Sequence, residues 1–456
     1  MALISPQVRV TTRDLLTLAW PVVLARIGIM VMGLTDAIVV GNFSSTELAF
    51  HTLAWTPTSI VITTAVGLLL GVQVMTARRL GEGRRSEVGA VLRRGLVYSL
   101  WLGGGSMIGL MLVGPWGLAS IGLEDGLAEG ARLPLLVFSL SMPAYLVSVA
   151  AQFFLEALGK PKPGMVAMWV ANGVNLALNL LLVPDLLGLG VDGALASSWA
   201  TFFARAALAV FLVVYIVRLP EARALGIFSK TPRDPLAEAE QRKVGYGAGS
   251  SYFIEVGAFA LMTLIAGRLG TNETAAWAVV LNISAIVFMI PMGLSSAAAV
   301  LVGRAFGAAD AQGVMRAGLV SLAVISALTL IIALIVWPTA PLLIGAYSRE
   351  PALVAIAVPA LVLATLFFVA DGIQAVAAQS NRAAGDIWWP TIMHFTAYGA
   401  VMMPLGWVLA PRMGVDGLVW AIIIASLLSS ALLTGRFIRV ARRMQRVASG
   451  EWRMPR

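Results

Sequence analysis

Three carboxylates, Asp36, Glu255 and Asp371, lie inside long apolar stretches of the chain. Each has mostly apolar neighbours for a helical turn or more on either side. A carboxylate in hydrocarbon is expensive and marks, by default, a path for an ion or a substrate. If Glu255 and Asp371 meet, two partly desolvated charges of that kind hold a cation or share a proton. Asn175 and Asn179 are spaced i, i+4 and so share a helix face, as do Thr201 and Arg205. The plainer reading of the asparagines is an interhelical hydrogen-bond pair worth about 0.6 kcal/mol. For the acids, it is a structural bond to a nearby hydroxyl of Ser250, Ser251 or Tyr252. Thr201 alone says little, because threonine readily bonds its own helix backbone. Arg26 and Arg205 also fall in apolar stretches. Snorkelling or an ion pair with Glu156 explains them first, and contact with an anionic substrate second.

These residues need spanning helices to position them, and the composition supplies them. The chain has 456 residues, 59% hydrophobic and only 12% charged, about half the charge of a soluble domain. Apolar runs of the roughly 20 residues needed to cross a bilayer recur from end to end. The fold class expected is an all-α polytopic membrane protein. Alternating ten-residue segments are absent, which excludes an outer-membrane barrel. About twelve spans are read: 15–42, 48–77, 90–113, 132–157, 163–184, 190–217, 244–269, 275–303, 313–337, 354–381, 388–410 and 414–437. Sorting Lys and Arg by loop puts 26 on one side and 4 on the other. The positive-inside rule then makes both termini cytoplasmic. The net charge of +9 is read as this topology signal and as contact with anionic membrane lipids, not as nucleic-acid binding.

The two halves repeat. At an offset of 226 residues Gly41 aligns with Gly267, Glu47 with Glu273, Gly67 with Gly293, Arg78 with Arg304, Pro115 with Pro341 and Gly159 with Gly385. The expected organisation is a cytoplasmic N-terminus 1–14, a six-helix lobe 15–217, a charged, proline-bearing cytoplasmic linker 218–243, a second six-helix lobe 244–437 and a basic tail 438–456. Six spans per half give both lobes the same orientation, related by an axis along the membrane normal. The acids break the repeat: Asp36 aligns with Met262, Asp371 with Tyr145 and Glu255 with Ile29. The scaffold therefore folds without carboxylates at these places, which favours a functional role for them.

The pattern resembles the multidrug and toxic compound extrusion (MATE) family, within it the NorM-like branch. The resemblance covers nearly the whole chain. It is carried by Tyr252 to Val256 and on to Ala299, with Leu281 to Ser284 and Phe288 to Met292. A second block runs from Asp371 through Gln374 to Ala378 and closes on Arg382 to Asp386. A third is the first span from Pro21 through Asp36 to Gly41. The resemblance implies two six-helix lobes with a large cleft between them. It implies a cation site at Glu255 and Asp371, able to take Na⁺, and a polar network of Asn175, Asn179 and Thr201 around Asp36, a further cation- or proton-binding carboxylate. Asn282 and Gln374 fall in the matching blocks as further polar candidates. Bending at Pro21 would alter the surroundings of Asp36. Two positions depart from the family pattern: Phe367 stands where some members have a tyrosine, and Asn179 where proton-linked relatives of another branch have an aspartate.

The function expected is a monomeric antiporter of the bacterial inner membrane. It would export amphipathic, often cationic, drugs against Na⁺ or H⁺, with no cofactor. The alternative is a flippase for lipid-linked sugars, with Arg26 and Arg205 on the phosphate. An intramembrane enzyme lacks support: there is no HExxH, no GxSxG and no cysteine. No Walker A sequence exists, so ATP is not used directly. The Gly188-Leu189-Gly190-Val191-Asp192-Gly193 match to a dinucleotide fingerprint joins two spans and follows no strand.

Overall fold

The structure is a computed structural model that describes residues 5–120, 126–229 and 234–449. The described chain is helical. In order the helices are α1 Pro6–Phe43, α2 Ser45–Leu68, α3 Leu70–Gly81, α4 Val88–Ser120, α5 Leu127–Leu140, α6 Met142–Ala157, α7 Lys162–Leu182, α8 Gly193–Val217, α9 Pro235–Ala266, α10 Thr271–Gly307, α11 Ala311–Tyr347, α12 Pro351–Ala383, α13 Trp388–His394, α14 Met403–Met413 and α15 Val415–Ala448. A π-helical stretch, Phe395–Met402, joins α13 to α14. Eleven helical segments are long and apolar enough to cross a membrane, and a twelfth span is made by α5 and α6, bent by 41°. The twelve spans read from the sequence fall on these elements. Helices α2 and α3 form one of them, broken at Leu69, and α13 to α14 another.

Two compact units emerge. One comprises residues 24–80 and 84–249; the other comprises 1–23, 81–83 and 250–456. In the first unit α6 packs on α4 and α8, α8 on α7, and α2 on α5. In the second, α12 packs on α10, α11 and α15 and so runs through the middle of the unit. Its core combines small residues such as Ala357, Ala360 and Ala364 with Phe367, Phe368, Trp277 and Tyr398. Alanines let helix axes approach closely where lipid supplies no hydrophobic drive.

The charged stretch 218–243 contains folded structure. Leu219, Ala222, Leu225 and Ile227 are buried in consecutive turns, and from Pro235 the chain is already helix α9. Helix α9 starts in close contact with the helices before it: a Cβ on Gly71 would fall 1.9 Å from the Gln241 carbonyl oxygen. Only glycine permits that approach. Arg382, sorted as a loop cation from the sequence, is fully buried in the last turn of α12.

Candidate ion and substrate site

Within the first unit, Asp36 on α1 is 3% exposed and meets α7 and α8. The i, i+4 spacing on α7 delivers both amides to one carboxylate oxygen. Asn175 Nδ2 and Asn179 Nδ2 donate to Asp36 Oδ1 at 2.9 and 2.8 Å. Thr201 Oγ1 on α8 donates to Asp36 Oδ2 at 2.7 Å and accepts from Asn175 Nδ2 at 3.2 Å. The structure thus brings together all four residues that the resemblance groups. The two asparagine amides converge on one carboxylate oxygen of α1.

Arg26 and Arg205, both buried, differ in their partners. Arg26 pairs with Glu156 Oε1 at 3.3 Å, and Gln73 Nε2 donates to the other oxygen of Glu156 at 2.7 Å. Arg205 neither snorkels nor pairs with Glu156. It is 4% exposed, donates to Ser141 Oγ at 2.7 Å, and lies over the rings of Tyr145 and Trp55 at 4.7 and 5.3 Å. Ring faces stabilise a desolvated guanidinium by about 2 kcal/mol. Arg205 and Asp36 line one small cavity with Tyr145 and Trp55.

Within the second unit, α9 contributes Glu255 and α12 contributes Asp371, with Gln374 one turn further on. The Gln374 amide nitrogen lies 3.4 Å from Glu255 Oε1 and 3.2 Å from Asp371 Oδ1. One donor therefore serves both acids, so the two oxygens cannot lie further apart than those two distances together. Ser250 and Ser251 do not satisfy these carboxylates, as the plainer reading would have it. Ser251 instead binds Arg382 and Thr391, and Tyr252 accepts from Gln379. Asn282 stays outside the group: it is exposed on α10 and bonds the Ala278 carbonyl of its own helix.

Sequence reasoning missed three neighbours of this pair. Tyr398 Oη donates to Asp371 Oδ1 at 3.4 Å. The hydroxyl that Phe367 lacks on α12 thus comes from another helix, while Phe367 sits in the apolar core. Tyr398 lies in the π-helical stretch, just before Pro404, whose missing N–H loosens the backbone ladder there. Arg382 donates to Ser251 and Gln379 at 2.6 and 3.3 Å and shares a cavity with Glu255 and Gln374. His394 lines that cavity too, is 2% exposed, and has no hydrogen-bond partner for either ring nitrogen among the described residues. The i, i+4 spacing of His394 and Tyr398 was the available signal.

No group of three or more His, Cys, Asp or Glu among the described residues could hold a metal ion by itself. A cation at Glu255 and Asp371 would have to complete its ligands from neutral oxygens or water.

The chain matches the MatE family model twice, over residues 21–181 and 248–408, both ends displaced by the same 227 residues. It is 55% identical over 426 residues to the probable multidrug resistance protein NorM of Caulobacter vibrioides, covering 93% of this chain and 90% of that protein. Among solved structures, a multidrug resistance transporter of the MATE family in an outward-facing conformation superposes with a TM-score of 0.88 at 18% identity. It covers 95% of this chain and 97% of that one. A MOP superfamily transporter from Pyrococcus furiosus, described as having a binding pocket of reverse polarity that suggests a different function, gives a TM-score of 0.87. That match is at 17% identity over 95% and 97% of the two chains.

Proposed function

The chain belongs to the MatE family and is a membrane transporter rather than an enzyme; from that premise we propose a cation-coupled antiporter that exports amphipathic, often cationic organic compounds by alternating access. The observation that carries this reading is the Gln374 amide shared by Glu255 and Asp371. Two ionised acids beside one arginine, Arg382, in the same interior leave one negative charge. A single Na⁺ or H⁺ neutralises it. The Asp36 cavity differs, because Arg205 already supplies its counter-charge. The coupling ion therefore belongs with Glu255 and Asp371, while Asp36 and its amide ring respond to the organic cargo.

The coupling follows from differential affinity. Outward-open protein binds the cation at the acid pair, and that binding lowers its affinity for the drug. Inward-open protein releases the cation and takes up drug. Exchange needs only that the two ligands favour different states. The Gln374 amide and the Tyr398 hydroxyl hold the carboxylates in place between cycles, and an entering ion displaces bonds that are already long.

The reading places the chain in a bacterial inner membrane as a monomer surrounded by lipid, with both termini in the cytoplasm. Among the alternatives, a flippase for lipid-linked sugars needs Arg26 and Arg205 on a phosphate. The Arg26–Glu156 pair weighs against it. Counterflow of a fluorescent cationic drug in proteoliposomes, under separate Na⁺ and H⁺ gradients, is the test. Uptake driven by one gradient is expected. Transport indifferent to both gradients, or selective for a lipid-linked sugar, overturns the proposal.

A further inference from the structure

In the first unit, the start of α9 lies along the start of α4 and leaves a cavity of about 420 Å³. That is within the size range of small-molecule sites. Its walls are chemically graded. Arg93, Arg94 and Arg242 stand beside Asp234 and Glu238, and Val97, Tyr98 and Trp101 continue along α4. Trp101 lies seven residues past Arg94, about 10 Å along a helix.

The cavity sits where the charged ends of the two helices give way to apolar spans. Helix α4 carries no charge after Arg94, and α9 carries none between Lys243 and Glu255. Val97 and Trp101 are 56% and 78% exposed, and an exposed tryptophan at this depth belongs to the membrane–water interface. One end of the cavity thus faces headgroups and the other faces acyl chains.

The charged groups are partly committed, and the remainder is informative. Arg93 Nη1 is held by the Gly226 and Ile227 carbonyls, both at 2.7 Å. Arg94 spends its Nε on Gln241 Oε1 at 3.2 Å. Arg242 is half-buried and has neither a hydrogen bond nor an ion pair among the described residues. Asp234 Oδ1 accepts from the Ala237 amide and, with Glu238, stands in the field of Arg94. A purely anionic ligand would draw the guanidiniums to itself and leave two carboxylates facing it. A ligand with both a phosphate and an ammonium answers both signs.

We propose that this cavity binds the headgroup of an aminophospholipid. The phosphodiester lies on Arg94 and Arg242, the primary ammonium lies against Asp234 and Glu238, and the glycerol and first methylenes follow Val97, Tyr98 and Trp101. Guanidinium donors match phosphate oxygens geometrically, and a primary ammonium donates to carboxylates where a quaternary one does not. None of these residues belongs to the acid pair or the Asp36 network, so the inference stands apart from the coupling mechanism.

The test uses the full chain in phosphatidylcholine nanodiscs, titrated with lipids brominated on their acyl chains. The Trp101 signal is the fluorescence difference between wild type and Trp101→Phe. Brominated phosphatidylethanolamine should quench it at about fivefold lower mole fraction than brominated phosphatidylcholine or phosphatidylglycerol, as expected for one or two interfacial charge pairs. Arg242→Gln, which leaves the Arg94–Gln241 contact in place, should abolish that preference. Glu238→Gln should turn it toward phosphatidylglycerol. Equal quenching by all three lipids means Trp101 merely touches bulk lipid and overturns the site. A wild-type preference for phosphatidylglycerol reduces it to a basic patch and does the same. Relief of quenching by water-soluble glycerophosphoethanolamine at matched concentration reassigns the cavity to a free headgroup and overturns the lipid assignment.

Discussion

Asp36 offers the sharpest separation of structure from function, because two substitutions there have opposite structural consequences. In Asp36→Leu, the amide donors of Asn175 and Asn179 lose the oxygen they share at 2.9 and 2.8 Å. A buried donor left without an acceptor costs about 1–3 kcal/mol, so the pair costs about 2–6 kcal/mol. In Asp36→Asn an amide oxygen stays where Oδ1 was, and both donors keep their acceptor. The new Nδ2 faces Thr201, whose hydroxyl rotates to accept from it. Charge assistance is lost, roughly 1 kcal/mol per bond, but so is the desolvation of a buried charge. The two changes nearly cancel. Asp36→Asn should therefore reach the membrane in normal amount and melt in detergent close to wild type, yet fail to export drug. Asp36→Leu should melt well below both. Thermal melting by size-exclusion chromatography, beside drug susceptibility of the same cells, reads both effects. Full resistance in Asp36→Asn, or equal melting of the two variants, would refute the reasoning.

Glu255→Gln and Asp371→Asn should each uncouple transport from the ion gradient, and the double variant should be little worse than either. Losses that multiply independently would separate the acids into two sites. Tyr398→Phe removes one hydrogen bond to Asp371 that an entering ion has to displace, and should tighten the apparent ion affinity about fivefold, from a bond worth about 1 kcal/mol. An unchanged ion dependence excludes the hydroxyl. A cysteine at position 230 of this cysteine-free chain should resist an impermeant thiol reagent in intact cells, and react in inverted vesicles. Outside the spans, Lys160 holds the Glu221 carboxyl below its ordinary value of 4.5. A depressed value stabilises the fold at neutral pH, and that contribution is lost as pH falls through it. Lys160→Met should therefore destabilise the protein at pH 7 by under about 1 kcal/mol for this partly exposed pair, seen as a slightly lower melting temperature, and the gap to wild type should close in acid.

The spans were legible because hydrocarbon thickness fixes their length and composition. The three acids were legible because nothing apolar explains them. Their partners were harder to read. Asn175 and Asn179 announce a shared face by spacing, but which carboxylate they serve depends on how α1 meets α7. Tyr398 is one of seven tyrosines, and only the π-helical turn before Pro404 aims it at Asp371. Arg382 reads as a loop cation from its place after a hydrophobic run. The last turn of α12 buries it instead, where Ser251 and Gln379 satisfy it.

That burial gives the repeat its functional asymmetry. At the 226-residue offset Glu156 corresponds to Arg382 and Arg26 to Tyr252. In the first half the two positions form a direct ion pair, Arg26 with Glu156. In the second half the charge has changed sign and its counterpart has become a phenol. Gln379 links them, donating to Tyr252 Oη at 2.8 Å and accepting from Arg382. A pair that neutralises itself contributes rigidity and nothing to ion selection. Arg382 donates to Ser251 and Gln379, and the cavity it shares with Glu255 places its charge near the acid pair. Without Arg382 the pair would present two negative charges and suit a divalent ion. With it, the interior presents one, which suits Na⁺ or a proton. On the proposed function, the same scaffold position supports packing in one half and would set the valence of the ion in the other. Neutralising Arg382 should therefore shift the ion dependence toward divalent cations before it abolishes transport.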